Sequence, residues 1–140
     1  MPQAVESFDL SEYDLVLSSS SSFGKGVLTR PETLHVCYCH TPTRFLWSDT
    51  HAYIRDLRTN FIFKWLAQIF LTHLRLWDRN AVERINHLIA NSHVVANRIQ
   101  KYYKRESTVI YPPVDISEFR LAEPENYFLA GGRLVSYKRF

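Results

Sequence analysis

The chain has 140 residues, 46% of them apolar and 22% charged, which is the balance of a globular domain and excludes a disordered or fibrous chain. Its formal charge of +3 permits anionic partners without singling one out. The two cysteines, Cys37 and Cys39, sit too close along one predicted strand for a disulfide, and no second Cys or His pair stands at zinc spacing. Reduced, buried thiols and no metal are expected.

Met1-Pro2-Gln3 has neither a basic n-region nor an apolar h-region, so no signal peptide is expected. Residues 1–13 read as a polar lead-in with a turn at Asp9-Leu10-Ser11. Asp14 to Ser18 reads as a first strand, emptying into the small-residue loop from Ser19 to Gly26. Free backbone N–H groups and hydroxyls there would suit an anion, with Ser21 and Lys25 as candidate contacts. A plain connector is the other reading, and Walker glycine spacing is absent.

Leu34 to Cys39 is apolar enough for a strand covered on both faces. Pro42 cannot extend the ladder, so His40 falls at the carboxyl end of a parallel strand, where open α/β sheets bind ligands. Thr43 to Arg58 reads as a loop with a short helix, its Phe45 and Trp47 packing onto the sheet.

From Phe61 to about Ile85 the pattern is helical, with Leu66, Phe70, Leu74, Trp77, Ala81 and Ile85 along one face. That face is expected against the core, although a basic aromatic helix also suits a membrane surface. The uncharged run between Lys64 and Arg75 is too short to span a bilayer. His87 to Ala90 reads as a third strand, and Asn91 or Ser92 offers the N-cap of a helix with Val95, Ile99 and Tyr102 inward. Ser107 to Tyr111 reads as a fourth strand, stopped by Pro112-Pro113. Strands alternating with helices predict an α/β domain with a parallel Rossmann-like sheet. Val114 to Glu125 reads as a linker, and Tyr127 to Ala130 as a fifth strand running into Gly131-Gly132.

Three stretches together resemble the retaining glycosyltransferases of family 4, which have the GT-B fold. They are Cys37-Tyr38-Cys39-His40-Thr41-Pro42, the run from Asn91-Ser92 to Tyr111-Pro112-Pro113-Val114-Asp115, and Gly132-Arg133-Leu134-Val135-Ser136-Tyr137-Lys138-Arg139. The resemblance runs from about Ser7 to the last residue and is nearest to the mannosyltransferase-like branch. It implies a partial GT-B: residues 1–113 as the latter half of the acceptor-side domain, 114–125 as the interdomain linker, and 126–140 as the first strand and turn of the nucleotide-sugar domain. The chain is then expected to be an internal fragment with little activity of its own. The glycine-rich acceptor loop and the late glutamate pair of the family are absent from it.

By the same resemblance, the parent transfers a hexose such as mannose, with retention, from a nucleotide sugar to a glycan or lipid-linked acceptor. His40 is the candidate catalytic residue, facing the sugar, and Arg133 and Lys138 would grip the donor diphosphate. Asn91 and Ser92 join Ser21 and Lys25 as candidate acceptor or loop contacts, and Ser21 stands where relatives often place a histidine. No metal or other cofactor is expected, because two cations can stabilise the leaving diphosphate. A cytoplasmic protein is expected, with peripheral contact at the inner membrane face. Exposed sheet edges would favour a homo-oligomer. The rival reading is a non-catalytic basic module that binds nucleic acid or a protein through Arg98, Lys101, Lys104 and Arg105.

Overall fold

A computed structural model describes residues 2–120, 122–128 and 131–132. Among the described residues four strands form one sheet, β1 (Leu15–Ser20), β2 (Leu34–Cys39), β3 (His87–Ala90) and β4 (Thr108–Val109), in the order β1-β2-β3-β4. Every pairing is parallel, with Leu17 opposite Val36, Cys37 opposite Leu88 and Ala90 opposite Val109. Among the described residues the helices are α1 (Pro2–Glu6), α2 (Thr50–Asp56), α3 (Phe61–Glu83) and α4 (His93–Tyr103), with a 3₁₀ turn at Phe23–Gly26. This is the α/β, Rossmann-like arrangement expected from the alternation of strands and helices, and it is consistent with a partial GT-B fold.

The first strand runs two residues further than its apolar residues suggest. Ser18, Ser19 and Ser20 pair in the ladder with Cys37, Tyr38 and Cys39. The ladder needs only backbone groups, and the inward hydroxyls find partners: Ser18 Oγ lies 2.8 Å from His35 Nε2, and Ser20 Oγ accepts from the Ser22 and Lys25 N–H groups. The fourth strand is shorter than expected, although the Ile110 N–H still donates to the Ala90 carbonyl. Of the expected fifth strand, Leu129 and Ala130 lie outside the described residues, and Tyr127 and Phe128 are exposed and belong to no strand.

Each long helix is bounded by side chains that meet its free backbone groups. Asn60 Oδ1 accepts from the Phe63 N–H at the start of α3, and Ser92 Oγ from the Val95 N–H at the start of α4. Beyond α3, Arg105 donates to the carbonyls of Val82 and Ile85. Arg98 donates to Thr41 Oγ1. Two cations of the supposed nucleic-acid cluster therefore hold the fold together.

The core lies on one face of the sheet. Cys37, Cys39, Leu88 and Ala90 pack there against Val82, Ile85, Val95, Ile99 and Tyr103. Burial raises both thiols, Cys39 to about 12, so both stay protonated. A second cluster joins Leu46, Ile54, Leu71 and Leu74, with Phe23 and Phe45 against it. Phe45 thus packs on this helical cluster rather than on the sheet, while Trp47 bridges the two cores and stacks on Tyr102 at 5.2 Å. The opposite sheet face carries exposed Leu15, Leu17, Leu34 and Ile110.

The inward stripe of α3 is rotated from the one read in the sequence. Leu71, Leu74, Asp78, Ala81 and Val82 are buried, while Leu66 and Phe70 are exposed. A carboxylate belongs to the core stripe, and that shifts the whole face.

Candidate active site at the carboxyl edge of the sheet

A parallel sheet directs the carboxyl ends of its strands to one edge, and here that edge gathers polar side chains. Ser21 follows β1, His40 follows β2, and Asn91 and Ser92 follow β3. The backbone N–H of His40 donates to the Ser20 carbonyl, which fixes the start of its loop. Its ring is exposed, with Nε2 2.8 Å from Ser19 Oγ and the Tyr38 ring edge-on at 5.3 Å. Among the described residues Nδ1 has no partner, so it is open to a ligand. Ser19 was missed in the sequence because the serine run reads as featureless loop; the pairing of β1 with β2 is what brings it beside His40.

Asn91 and Ser92 are half-buried at the same edge, with Ser92 Oγ donating to Asn91 Oδ1 at 3.1 Å. Ser92 is the helix cap, so its hydroxyl is committed, while the bond orients the Asn91 amide. On the flank, His93 and Tyr111 make an edge-on contact at 6.1 Å, and Tyr38 Oη donates to the Ile110 carbonyl. Arg133 and Lys138 lie outside the described residues.

Lys25 is placed differently from a substrate contact. It is 1% exposed and its ammonium donates to the Ser22 carbonyl, to Thr43 Oγ1 and to Asp78 Oδ1. Those partners use all the protons the group has, leaving no donor for an anion. Two of the loop's N–H groups are spent in a similar way, since those of Ser22 and Lys25 point at Ser20 Oγ. Of the expected anion cradle between Ser19 and Gly26, Lys25 is thus turned into the core, while Ser21 is exposed at the rim.

Asp78 is the centre of that knot. Thr43 Oγ1 donates to its Oδ1 at 2.8 Å, and Trp47 Nε1 and Tyr103 Oη each donate to its Oδ2 at 2.8 Å. Tyr103 is pushed well above the ordinary phenol range by burial and by the Asp78 charge, so it serves as a permanent donor. The knot ties Lys25 after β1 and Thr43 and Trp47 after β2 to α3 and α4, and so braces the two loops beside His40 from below. The signal for it in the sequence was an aspartate at the inward spacing of an apolar helix. Among the described residues no three His, Cys, Asp or Glu side chains converge as metal ligands would.

A Rossmann-like sheet with an open histidine, an oriented amide and hydroxyls at its carboxyl edge defines a ligand-binding α/β domain. Glycosyltransferase Family 4 matches residues 1–118, and the chain belongs to that family. Its function is accordingly of the glycosyltransferase type, with a sugar donor and a glycan acceptor as the general partners. No curated protein and no solved structure matches the chain.

Proposed function

We propose that the protein transfers a hexose such as mannose, with retention, from a nucleotide sugar to a glycan or lipid-linked acceptor, and that His40 contacts the transferred sugar. The observation that carries this reading is the His40 ring itself: exposed at the carboxyl edge, held at Nε2 by Ser19 and open at Nδ1. A ring fixed at one nitrogen presents the other to a sugar hydroxyl in a single orientation. Arg133 and Lys138 grip the donor diphosphate, the guanidinium as a fork and the ammonium as a point charge. Their charges stabilise what develops on the leaving nucleoside diphosphate, so no metal is required. Asn91 and Ser21 contact the acceptor from the neighbouring strand ends.

The test is a nuclear magnetic resonance titration with a panel of nucleotide sugars, followed by transfer of a labelled sugar. Shifts at His40 and Asn91 with GDP-mannose or another nucleotide hexose, weakened by Arg133→Ala and Lys138→Ala, are the expected result. Shifts confined to the amino ends of the strands, or none with any donor, would overturn the reading.

A further inference from the structure

A second concave surface lies at the opposite edge of the sheet from His40, where β3 and β4 begin and α4 ends. It is a cavity of about 430 Å³, with Asn86, His87 and Leu88 on one side and the stretch from Lys104 to Thr108 on the other. That volume is within the range of small-molecule sites. Its polar walls are mostly hydrogen-bond donors. Asn86 Oδ1 accepts from the His35 N–H at 2.7 Å, so the side chain has only its NH₂ left for a ligand. The His87 ring, the Lys104 ammonium and the Thr108 hydroxyl belong to exposed residues and make no hydrogen bond or ion pair among the described residues. Arg105 is committed to the Val82 and Ile85 carbonyls, so it contributes charge rather than a free fork.

Two features of this lining are costly to the fold. Lys104 has φ 57° and is, among the described residues, the one non-glycine with positive φ. A left-handed helix end ordinarily falls to glycine or asparagine, because a Cβ is crowded there. Ser107 Oγ is shut off from solvent and has no partner among the described residues, which deprives a hydroxyl of its hydration. A ligand accounts for both. Lys104 supplies an unpaired cation where glycine would fold more easily, and a turn about Cα–Cβ gives the Ser107 hydroxyl a new partner.

We propose that this cavity binds the phosphate monoester of a small polyhydroxy compound. The phosphate oxygens accept from Lys104, Ser107 and the Asn86 NH₂, while Glu106 accepts from the ligand's hydroxyls. Lys104 and Arg105 against Glu106 leave one net positive charge, which suits a single phosphate and not a polyanion. The cavity is at the far edge from His40, so the proposal stands or falls separately from the transfer reaction.

The experiment is an amide nuclear magnetic resonance titration of the full chain with ribose 5-phosphate, with ribose and inorganic phosphate as controls. Ribose 5-phosphate is expected to shift the His87, Lys104, Ser107 and Thr108 signals and to bind more tightly than either control. Lys104→Gly should weaken binding at least about tenfold, because a charge-assisted hydrogen bond is lost. The same variant should raise the urea midpoint, since glycine adopts the left-handed conformation freely. Ser107→Ala should weaken binding about fivefold without lowering the midpoint, because it removes an unpaired hydroxyl. Affinity and stability that respond in opposite directions separate binding from folding. Shifts confined to the edge around His40, no shift with ribose 5-phosphate, or undiminished affinity in Lys104→Gly overturns the proposal. Equal affinity for inorganic phosphate also overturns it, since the hydroxyl contacts would then be absent. So does tighter binding of a single-stranded oligonucleotide at the same residues, which would assign the cations to nucleic acid.

Discussion

Lys25 Nζ lies 2.6 Å from Asp78 Oδ1, and both side chains are sealed from solvent, at 1% and 0% exposure. The pair is an ammonium and a carboxylate whose remaining bonding capacity is met by Thr43, Trp47, Tyr103 and the Ser22 carbonyl. Removing one partner strands the other charge in a low-dielectric site. Asp78→Ala is therefore expected to destabilise the fold by about 3–5 kcal/mol. Lys25→Met should be milder, because three neutral donors still serve the carboxylate. In urea unfolding the double variant Lys25→Met/Asp78→Ala should lose at least about 1 kcal/mol less than the two single losses added together. Strict additivity would show that the charges do not depend on each other.

Gly26 lies against the six-membered ring of Trp77, where an added Cβ would overlap the ring. The ring cannot swing aside freely, since Phe23 packs on it at 5.6 Å and its Nε1 donates to Glu6 Oε1 at 2.7 Å. Gly26→Ala is expected to lower stability by about 1–3 kcal/mol, through displacement of the indole and loosening of α1. Denaturant unfolding measures the loss, and tryptophan emission reports the displaced ring. An alanine variant as stable as the parent would show that the ring yields freely.

The sequence made some of these relationships legible and hid others, for physical reasons. The bounds of β2 and β3 follow from apolar runs closed by Pro42 and by the Asn91-Ser92 cap, all local signals. The position of His40 at the strand end follows from the same signals. Asp78 was hidden because its partners come from residues 25, 43, 47 and 103, and a carboxylate without visible partners reads as solvent-facing. Lys25 was misread for the complementary reason: a lysine beside glycines suggests an anion site until its own anion is found. Leu66 and Phe70 of the apolar stripe are exposed rather than packed on the core, because an apolar stripe tells that a surface avoids water, not what covers it.

His35 is fully buried on β2, with Nε2 2.8 Å from Ser18 Oγ and, among the described residues, no hydrogen-bond partner for Nδ1. Burial, reinforced by the Arg84 charge, holds its pKa below the ordinary 6.5. A base depressed in the folded state resists a proton that the unfolded chain accepts. Stability is therefore expected to be constant above that value and to fall as the pH drops below 6.5. The exposed Asp9 and Asp115 are lowered by hydrogen bonds from Ser11 and Ser117, so they act only near and below 3.8 and leave the higher window to His35. Urea midpoints measured from pH 8 to pH 5 check this. His35→Gln, which can still bond Ser18, should flatten the dependence; an equally steep profile in that variant would place the proton elsewhere.

Ser19 lies in β1 and His40 directly follows the neighbouring parallel strand β2, and their 2.8 Å contact sets how the imidazole faces the edge. Both are exposed, so their replacement should change stability by less than about 0.5 kcal/mol. If Nδ1 bonds a hydroxyl of the transferred sugar, His40→Ala removes a neutral hydrogen bond, and kcat/KM should fall by about tenfold. Ser19→Ala acts through the ring rather than on the sugar. It is expected to lower kcat with little change in KM, because a freely rotating ring still binds but is seldom aligned at the transition state. The split between kcat and KM separates this positioning role from a structural one. Unfolding midpoints that drop in parallel with activity in either variant would assign the contact to the fold instead.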